Sequence, residues 1–507
     1  MTVAEPRGPV VCAIPMRVRF RGITERELML RAARGLENHC VTVLLESRGA
    51  VSGARIVLLV GSGNNGGDTL FAGAALADRG ASVTAVALSA HPHADGTVAL
   101  LNSGGRLRHV TSEAGEAEVA AATRLIRQAD LVLDGIVGIG GSGALREPAA
   151  TLVRGIDESV TIRVAVDVPS GVDSDSGAVS DPDAVFTADL TVTFGCLKSG
   201  LVLPPGRDRA GVVELVDIGL EPQLASLPDV KLLQLPDVRP FFRPPSEFDY
   251  KYSHGVVGVV AGSSRFRGAA TMVCGAARHT GVGMVRIADR GDGVAAEVVN
   301  RFPDVVSADG KNLGDDPRAT AWIIGPGADT GQQTASDLAT LLRTDLPVVV
   351  DADAITVVAH DQSLRDLIHN RSATTVLTPH VGEFARLGYE VGDDRLRAAS
   401  AAADDMQAVF VLKGPGTVIA GPNDKVYVDP IGPPALATAG SGDALSGLVA
   451  GALAGNRDLP YDEVRVVAAA VFLHGLAARV ATRDDQPMTA WDLVQAVPMA
   501  VAEVRRL

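Results

Sequence analysis

Short, almost wholly apolar runs recur along the first half of the chain, and most are followed by a polar or glycine-rich turn and a helix-length segment. The first such unit begins at Arg55 and reads RIVLLV, then GSGNNGGD, then TLFAGAALADRG. Further runs of this kind are ASVTAVAL, ADLVLDGI, IRVAVDVPSG and ADLTVTF. Strands buried on both faces of a parallel sheet have this near-continuous apolar character. The first half is therefore predicted to be a three-layer α/β/α domain with a Rossmann-like order of strand, loop and helix.

A second series of the same pattern follows a proline-rich segment. Between Leu220 and Pro245 repeated prolines interrupt any helix, and the periodic pattern fades. Beyond that segment the apolar runs are VVGVVAGS, AWIIGPGA, LPVVVDADAI, TVLTPH and VFVLKG. A chain of 507 residues is long enough for two large domains. We predict an α/β domain at residues 1–225 and a second, separate one at residues 226–507.

Charge and cysteine content exclude several classes of partner. The formal net charge is −14 at pH 7, and a surface of that sign repels phosphates, so neither nucleic acid nor a membrane is an expected partner.

The chain has no CxxC pair among its cysteines, Cys12, Cys40, Cys196 and Cys274, which argues against a zinc site or a disulfide framework. The N-terminal segment has neither the pattern of a secretion signal nor a long apolar stretch. We expect a cytoplasmic protein.

The first glycine loop, Gly61–Asp68, lies between a predicted strand and a predicted helix. Backbone amides of such a loop gather at the positive end of the helix, which favours a phosphate-bearing ligand. Glycines in this position also serve tight packing alone. A packing turn does not need polar side chains, however, so the presence of Asn64, Asn65 and Asp68 favours a binding site.

Two more predicted strands of the first half end in polar groups. DGIVGIGGSG begins at Asp134, and VAVDVPSG carries Asp167 and Ser170. Loops at the carboxyl edge of a parallel sheet converge on ligands. Asn65, Asp134 and Ser170 are oxygen donors of low total charge, which suit a monovalent cation better than a transition metal. Asp167 is a candidate acid or base because its strand is apolar. A helix cap at Asp134 and a turn-stabilising carboxylate at Asp167 are the structural alternatives.

Glycines and polar groups also follow the predicted strands of the second half. Gly325 and Gly327 allow a flat or bulky group to approach the backbone closely. His380 follows a strand beside Glu383; a solitary histidine is usually structural, but this placement favours a site. The run VLKGPGTV offers the Lys413 cation and several amides, which suit the phosphates of a nucleotide.

The stretch AGSGD, Ala439–Asp443, precedes a small-residue helix and combines an anion-binding turn with one carboxylate. Successive backbone N–H groups there predict a hole for a phosphoryl group. A carboxylate beside phosphates is repelled unless it performs a task, such as accepting the proton of an attacking hydroxyl. The alternative is that Asp443 only stabilises the helix dipole, an effect of about 0.3–1 kcal/mol that leaves the glycines unexplained.

These motifs resemble two known families in the expected order. GNNGGDT, DGIVGIG and DVPSG resemble the signature of the NAD(P)H-hydrate epimerase family. GPG, DADA, TPHVGE, LKGPGT and GSGD resemble that of the NAD(P)H-hydrate dehydratase family, which has a ribokinase-like fold. The resemblance implies a bifunctional enzyme that repairs hydrated NADH and NADPH. The first domain then exchanges the R and S hydrates, and the second dehydrates the S hydrate while ADP, the co-substrate, becomes AMP and phosphate.

The resemblance also implies roles for residues of the first domain. Asp167 acts at the reacting carbon, and potassium (K+) is held by Asn65, Asp134 and Ser170. The remaining substrate-binding positions are in the two glycine loops: Asn64, Asn65, Gly66, Gly67, Asp68, Gly138, Ile139, Gly140, Gly141, Ser142, Gly143 and Ala144.

In the second domain the resemblance implies that Asp443 deprotonates the substrate hydroxyl, and that Mg2+ screens the phosphate charge. The hydrate pocket is then lined by Ala269, Gly327, His380 and Asp443, and the nucleotide is held by Lys413, Gly414, Pro415, Gly416, Thr417 and Gly442. A homo-oligomer is expected. Two alternatives stay open: a small-molecule kinase whose product keeps the phosphate, and a first domain that binds ligand without turnover.

Overall fold

The computed structural model describes residues 11–12, 24–156, 161–220, 230–311, 313–316, 318–457 and 460–506. The described residues up to Leu220 belong to one compact unit and those from Val230 to another. The predicted boundary between residues 225 and 226 falls in 221–229, outside the described residues.

The N-terminal unit is built on a seven-stranded sheet in the order β4-β3-β2-β5-β6-β7-β9, and every neighbouring pair is parallel. β1 and β8 form a separate parallel pair. The strands of this unit are β1 Val11–Cys12, β2 Arg55–Val60, β3 Ser82–Ala87, β4 Arg106–His109, β5 Leu131–Gly135, β6 Ile162–Val166, β7 Leu190–Phe194, β8 Leu197–Lys198 and β9 Val212–Val216. The predicted strand RIVLLV is therefore β2, residue for residue.

Helices cover both faces of this sheet. They are α1 Glu25–Arg48, α2 Asn64–Asp78, α3 Ala94–Asn102, α4 Glu116–Arg127, α5 Ala149–Arg154 and α6 Arg207–Ala210. Successive side chains of a strand point to opposite faces, and β2 shows this directly. Leu58 packs with residues of α1 and α2, whereas Leu59 packs with residues of α4 and α5. The apolar run of β2 thus reflects burial on both sides, in three layers.

The order of the strands places a ligand site between β2 and β5. β3 lies on one side of β2 and β5 on the other, so the chain leaves the carboxyl ends of β2 and β5 in opposite directions. Such a switch point opens a crevice at the carboxyl edge of a parallel sheet. The loops that begin at Gly61 and Ile136 both start there.

The C-terminal unit has a nine-stranded sheet in the order β12-β11-β10-β13-β14-β15-β16-β17-β18. All neighbouring pairs are parallel except β16–β17 and β17–β18, which are antiparallel. The strands are β10 Val256–Val260, β11 Met284–Asp289, β12 Val306–Asp309, β13 Ala321–Ile324, β14 Val348–Val350, β15 Thr375–Leu377, β16 Val409–Leu412, β17 Thr417–Gly421 and β18 Lys425–Asp429. The switch point here lies between β10 and β13.

The helices of this unit complete the predicted α/β architecture. They are α7 Leu235–Val238, α8 Arg267–Ala277, α9 Val294–Arg301, α10 Gln332–Leu342, α11 Asp353–His360, α12 Gln362–Asn370, α13 Val381–Arg386, α14 Arg395–Met406, α15 Ser441–Gly455, α16 Glu463–Ala481 and α17 Ala490–Arg505. Helices α8, α15, α16 and α17 share one apolar core with alternate residues of β10. The predicted fold class, two α/β units built on parallel sheets, is confirmed.

Helix α16 is long and apolar enough to cross a membrane by length and composition alone. Most of it is buried, however, and Val467, Ala470 and Leu473 belong to the same core as β10. A helix that is apolar on all sides and enclosed by protein is typical of the core of a large folded domain.

Gly258 in the middle of β10 offers a test of the packing. An added Cβ would stand 2.3 Å from Cε3 of Trp322, which is 1% exposed. Gly258→Ala is therefore expected to lower the free energy of unfolding by roughly 1–3 kcal/mol. Gly268 is exposed at the start of α8, and an added Cβ there meets nothing within 4 Å. Gly268→Ala should therefore be neutral or slightly stabilising. Urea unfolding followed by tryptophan fluorescence reports this unit, because both tryptophans lie in it. Equal effects of the two changes would contradict this packing.

Candidate active sites

A cavity of about 690 Å³ opens at the switch point of the N-terminal unit. The structure brings together there residues that follow three different strands: Asn64, Asn65 and Asp68 after β2, Gly138, Ile139 and Gly140 after β5, and Asp167 after β6. Gly66 and Gly67 are buried in the first turn of α2, and an added Cβ at Gly66 would stand 2.5 Å from the carbonyl oxygen of Gly61. Six predicted substrate-binding residues do not line the cavity: Gly66, Gly67, Gly141, Ser142, Gly143 and Ala144.

Asp134 ties two of these loops together beneath the cavity. Its carboxylate is fully buried and accepts hydrogen bonds from the backbone N–H of Ser170 (2.7 Å) and of Ile136 (3.2 Å), and from the Ser170 hydroxyl (2.7 Å). Burial raises the pKa of Asp134 to about 6, and the hydrogen bonds from Ser170 oppose the rise. The carboxylate therefore holds the β5 and β6 loops together from within β5, and it is not the helix cap that the sequence offered as an alternative.

The donor set around Asp134 also suits a potassium ion. The Ser170 hydroxyl lies 3.2 Å from the carbonyl oxygen of Val137, so carboxylate, hydroxyl and carbonyl oxygens are close together. The amide of Asn65 is near Gly138, and its buried Nδ2 has no hydrogen-bond partner among the described residues. Oxygen ligands with one negative charge fit a large monovalent cation. Asp134 and Ser170 are thus of the ligand type that the predicted ion takes, and the side-chain oxygen of Asn65 is the third predicted ligand.

Asp167 is paired with a lysine that the sequence motifs did not reveal. Lys198 Nζ lies 2.5 Å from Asp167 Oδ1, and it also donates to Thr193 Oγ1 (3.0 Å) and to the carbonyl oxygen of Phe194 (2.9 Å). Lys198 is 5% exposed and lines the cavity. The available signal in the sequence was a lone lysine just after the strand run ADLTVTF, in FGCLKSG. Asp167 itself has a φ of 69°, in the left-handed region. Strained backbone conformations of this kind cluster at functional sites.

Asp68 is the second carboxyl group of the cavity. It is 9% exposed, and its Oδ1 has no hydrogen-bond partner among the described residues. Burial raises the pKa of Asp68 well above its usual range, the charge of Asp167 raises it further, and Lys198 opposes both. The cavity is therefore lined by one lysine and three carboxyl groups, those of Glu25, Asp68 and Asp167, and only Asp167 is paired with the lysine.

Asp443 occupies the first turn of α15 in the C-terminal unit, as predicted. The turn begins at Gly440, which has a φ of 91°, so the chain enters the helix through a conformation that favours glycine. Burial raises the pKa of Asp443 to about 7, helped by the negative charges of Asp351, Asp353 and Glu383, while Lys413 lowers it. Within the described part of the chain Asp443 forms no ion pair within 4 Å and stays partly accessible.

Lys413 is held by two carboxylates rather than by Asp443. Its Nζ lies 2.9 Å from Asp351 Oδ1 and 3.6 Å from Glu383 Oε2. Asp351 is 1% exposed and also accepts a hydrogen bond from the hydroxyl of Ser446 in α15. These contacts fix the lysine beside Gly442, where an added Cβ would stand 3.3 Å from Nζ. The structure thus brings together the predicted nucleotide-binding residues Lys413 and Gly442.

The other predicted residues of the hydrate pocket fall in two places. Gly327 packs against Ala269, where an added Cβ would meet the Ala269 Cβ at 3.0 Å, so these two are neighbours at the switch point. His380 caps α13: its Nδ1 accepts from the backbone N–H of Gly382 (2.9 Å) and Glu383 (3.3 Å). On the other edge of the ring Nε2 lies 3.5 Å from Glu383 Oε1, and about half of the side chain remains exposed, so His380 has a structural role at a position that solvent still reaches.

The loop from Gly414 through Pro415 and Gly416 to Thr417 rests on a half-buried arginine. Arg395 Nη2 donates to the carbonyl oxygens of Leu412 and Lys413, each at 3.2 Å. An added Cβ at Gly414, where φ is 147°, would stand 2.9 Å from the same nitrogen. The sequence pattern did not single out Arg395, because a lone arginine in a polar helix usually lies in solvent.

Fold and sites together define a two-unit α/β enzyme of small molecules, with acid–base groups at the switch point of the first unit and a carboxylate at a helix start in the second. Residues 25–200 match the family described as YjeF-related protein N-terminus, and residues 257–499 match the family described as NAD(P)H-hydrate dehydratase. A third match, enolase N-terminal domain-like, spans only residues 11–35.

Curated relatives extend over nearly the whole chain. The bifunctional NAD(P)H-hydrate repair enzyme of Mycobacterium leprae is 42% identical over 483 residues, which cover 94% of each chain. That of Salinibacter ruber is 34% identical over 516 residues, covering 95% of this chain and 93% of the relative. The chain belongs to the family of bifunctional NAD(P)H-hydrate repair enzymes.

Solved structures match the chain in part. One is the ADP/ATP-dependent NAD(P)H-hydrate dehydratase from Bacillus subtilis, co-crystallised with ATP and Mg2+, at 27% identity and a TM-score of 0.47. The match covers 54% of this chain and 99% of that one.

The pKa of Asp443 predicts a pH-dependent gain of stability for Asp443→Asn. A carboxyl with a pKa of about 7 when folded and 3.8 when unfolded destabilises the fold increasingly as the pH rises from about 4 to 7. Asparagine cannot ionise, so the variant should gain stability over the unmodified chain by about 2 kcal/mol more at pH 8 than at pH 5. Urea unfolding followed by tryptophan fluorescence measures this difference. The exposed Asp366→Asn serves as a control and should show no such trend; a flat difference for Asp443→Asn would contradict the burial of this carboxyl.

Proposed function

We propose that the chain repairs NADH and NADPH that have taken up water across a double bond of the nicotinamide ring. The N-terminal unit acts as an isomerase that exchanges the R and S hydrates, and the C-terminal unit acts as a lyase that dehydrates the S hydrate with ADP or ATP. The observation that carries the proposal is the state of Asp443: a carboxyl with a pKa near neutrality, at a helix start, beside a lysine that other carboxylates hold.

A pKa of about 7 suits a general base. At neutral pH a large share of Asp443 is ionised, and a carboxylate of raised pKa is a stronger proton acceptor than an ordinary one. Lys413 lies close enough to favour the ionised form, but its pairing with Asp351 and Glu383 keeps it from neutralising Asp443. The amides at the start of α15 supply positive potential for the phosphoryl group that approaches the same turn.

The dehydration then proceeds in two steps. Asp443 accepts the proton of the substrate hydroxyl, the hydroxyl oxygen bonds to the terminal phosphorus of the nucleotide, and the bridging phosphorus–oxygen bond breaks to release AMP from ADP. In the second step the carbon–oxygen bond breaks, phosphate leaves with the bonding electron pair, and the neighbouring ring carbon passes a proton to the departing phosphate, which restores the double bond. Phosphorylation matters because phosphate is a far better leaving group than hydroxide.

The remaining predicted residues of this unit bind the two substrates. Lys413–Thr417 and Gly442 hold the nucleotide phosphates, while Ala269, Gly327 and His380 contact the hydrate. No cluster of three or more His, Cys, Asp or Glu side chains with metal-binding geometry occurs in the described ranges. Bound with the nucleotide, magnesium would offset the charge of the phosphates.

In the N-terminal unit Asp167 acts at the hydrated carbon, and the amides of the loops beginning at Asn64 and Gly138 contact the cofactor. Asn65, Asp134 and Ser170 hold potassium, which supplies positive charge next to the β5 loop and stabilises the wall of the cavity. Assembly into a homo-oligomer and a cytoplasmic location complete the proposal, with small molecules rather than nucleic acid or membranes as partners.

The first test uses Asp443→Asn with the separated S hydrate and ADP. Loss of the proton acceptor is expected to lower the rate of NADH recovery by at least about 100-fold, while nucleotide binding is retained. Recovery is followed by the near-ultraviolet absorbance of NADH, and binding by calorimetry. The exposed variant Asp366→Asn should keep full activity. Ordinary turnover by Asp443→Asn, or a phosphorylated ester that accumulates without NADH, would contradict the proposal.

The second test replaces potassium by tetramethylammonium, which is too large for the site. Use of the R hydrate should fall by at least about tenfold because the β5 loop loses its ion, whereas dehydration of the S hydrate should not change. Both rates are measured in the same protein, so the S hydrate serves as the internal control. If the R-hydrate rate is the same with either cation, the proposed potassium site is refuted.

A further inference from the structure

Asp68 has no partner for one of its oxygens, although it is almost completely buried. Oδ1 is inaccessible and makes no hydrogen bond among the described residues, and the carboxyl lines the cavity together with Asp167. A buried polar atom without a partner costs free energy, so a group of this kind marks a place where a ligand completes the hydrogen bonding. Burial and the charge of Asp167 raise the pKa of Asp68, which favours its protonated form.

Lys198 does not supply the missing hydrogen bond to Asp68. An ammonium group has three N–H donors, and Lys198 uses them on Asp167 at 2.5 Å, on Thr193 Oγ1 at 3.0 Å and on the carbonyl oxygen of Phe194 at 2.9 Å. No donor is left for Asp68. Asp167 therefore has an ion-pair partner in Lys198, and no cation is bonded to Asp68 among the described residues.

A phosphate-binding role does not suit Asp68. A charged carboxylate repels phosphate, and a neutral one offers a single donor from a side chain that is 9% exposed. Glu25, the other charged residue on the described wall of the cavity, is exposed and accepts from Asn64 Nδ2 at 2.6 Å. The pair Asp68 and Asp167 resembles instead the arrangement in which two carboxyl groups in different environments divide acid and base roles.

We propose that Asp68 and Asp167 are the acid and base of the hydrate epimerisation and that Lys198 is the positioning residue that holds the Asp167 carboxylate by an ion pair. This inference rests on the proposed function of the N-terminal unit. It adds Asp68 and Lys198 to the groups that act at the reacting carbon, in place of a phosphate contact for Asp68.

The chemistry follows from the substrate. Its hydrated carbon bears both the hydroxyl and the ring nitrogen. Asp68 gives its proton to the hydroxyl oxygen, the carbon–oxygen bond breaks, and the nitrogen lone pair forms a carbon–nitrogen double bond as water leaves. Water then adds to the opposite face, its oxygen bonds to the carbon, the electron pair returns to nitrogen, and Asp167 takes the released proton. One proton has moved from Asp68 to Asp167, and exchange with solvent or the reverse reaction restores the starting state.

The acid role is tested with Asp68→Asn in the full-length protein. Exchange of purified R hydrate into S hydrate is followed by chromatography without nucleotide, so that dehydration does not run. The expected result is a kcat lower by about 100-fold or more, with KM within about threefold of the unmodified protein. The matched control is Asp78→Asn at the exposed end of the same helix, which should leave both constants unchanged. A raised KM with unchanged kcat would show that Asp68 only holds the substrate, and the inference would fall.

The positioning role is tested with Lys198→Met and Lys198→Arg. Lys198→Met removes the positive charge paired with Asp167, so the acidic limb of the pH–rate profile of epimerisation should move up by at least about one pH unit. Lys198→Arg keeps the charge and should restore most of the profile. A profile that Lys198→Met leaves in place, or a shift that Lys198→Arg does not reduce, would refute the role.

Two controls separate this inference from the proposed function. The dehydration rate on purified S hydrate with ADP should be the same in every variant, because the C-terminal unit is unaltered. If the unmodified protein exchanges R and S hydrates no faster than the spontaneous reaction, the proposed isomerase activity itself is refuted. If it does exchange them and the variants behave as it does, only the assignment of Asp68 and Lys198 is refuted.

Discussion

Both sites depend on one kind of interaction. A largely buried lysine forms ion pairs with some carboxylates of the site and leaves another carboxyl group of the same site without a cation. In the N-terminal unit Lys198 holds Asp167 and leaves Asp68 without a cation. In the C-terminal unit Lys413 contacts Asp351 and Glu383, not Asp443. In each unit the unpaired carboxyl has a raised pKa for the same physical reason, burial near other negative charge. A carboxyl in that state holds its proton to a higher pH than an ion-paired carboxylate does, which is typical of groups that act as acids or bases.

This arrangement lowers the stability of the folded protein. Carboxyls with raised pKa values destabilise the folded state above their unfolded pKa, and the left-handed conformations of Asp167 and Ala352 add backbone strain beside the same sites. The extended sheets and their apolar cores offset such terms, since the central strands are buried on both faces. Sites of this kind are common where activity requires charge in a poorly solvated place.

The sequence allowed much of the fold and part of the sites to be predicted. Near-continuous apolar runs identified the central strands, because a strand with helices on both faces has no polar side. The loop residues Asn65, Asp68 and Asp167 were found because they follow such strands, and the structure places all three at one cavity. Gly141–Ala144 were grouped with them by motif, but that turn does not line the cavity, since a motif does not show where its loop bends away.

The sequence by itself determined that strand-end polar groups gather at the carboxyl edge of each sheet, because parallel strands must all end on the same side. Only the tertiary structure decided which of these groups meet. Lys198 lies 31 positions from Asp167, and Lys413 lies 62 positions from Asp351. No local pattern encodes such pairs, since their contact depends on the order of strands in the sheet. The charge state of each carboxyl, and hence its chemistry, is fixed by that contact and by burial.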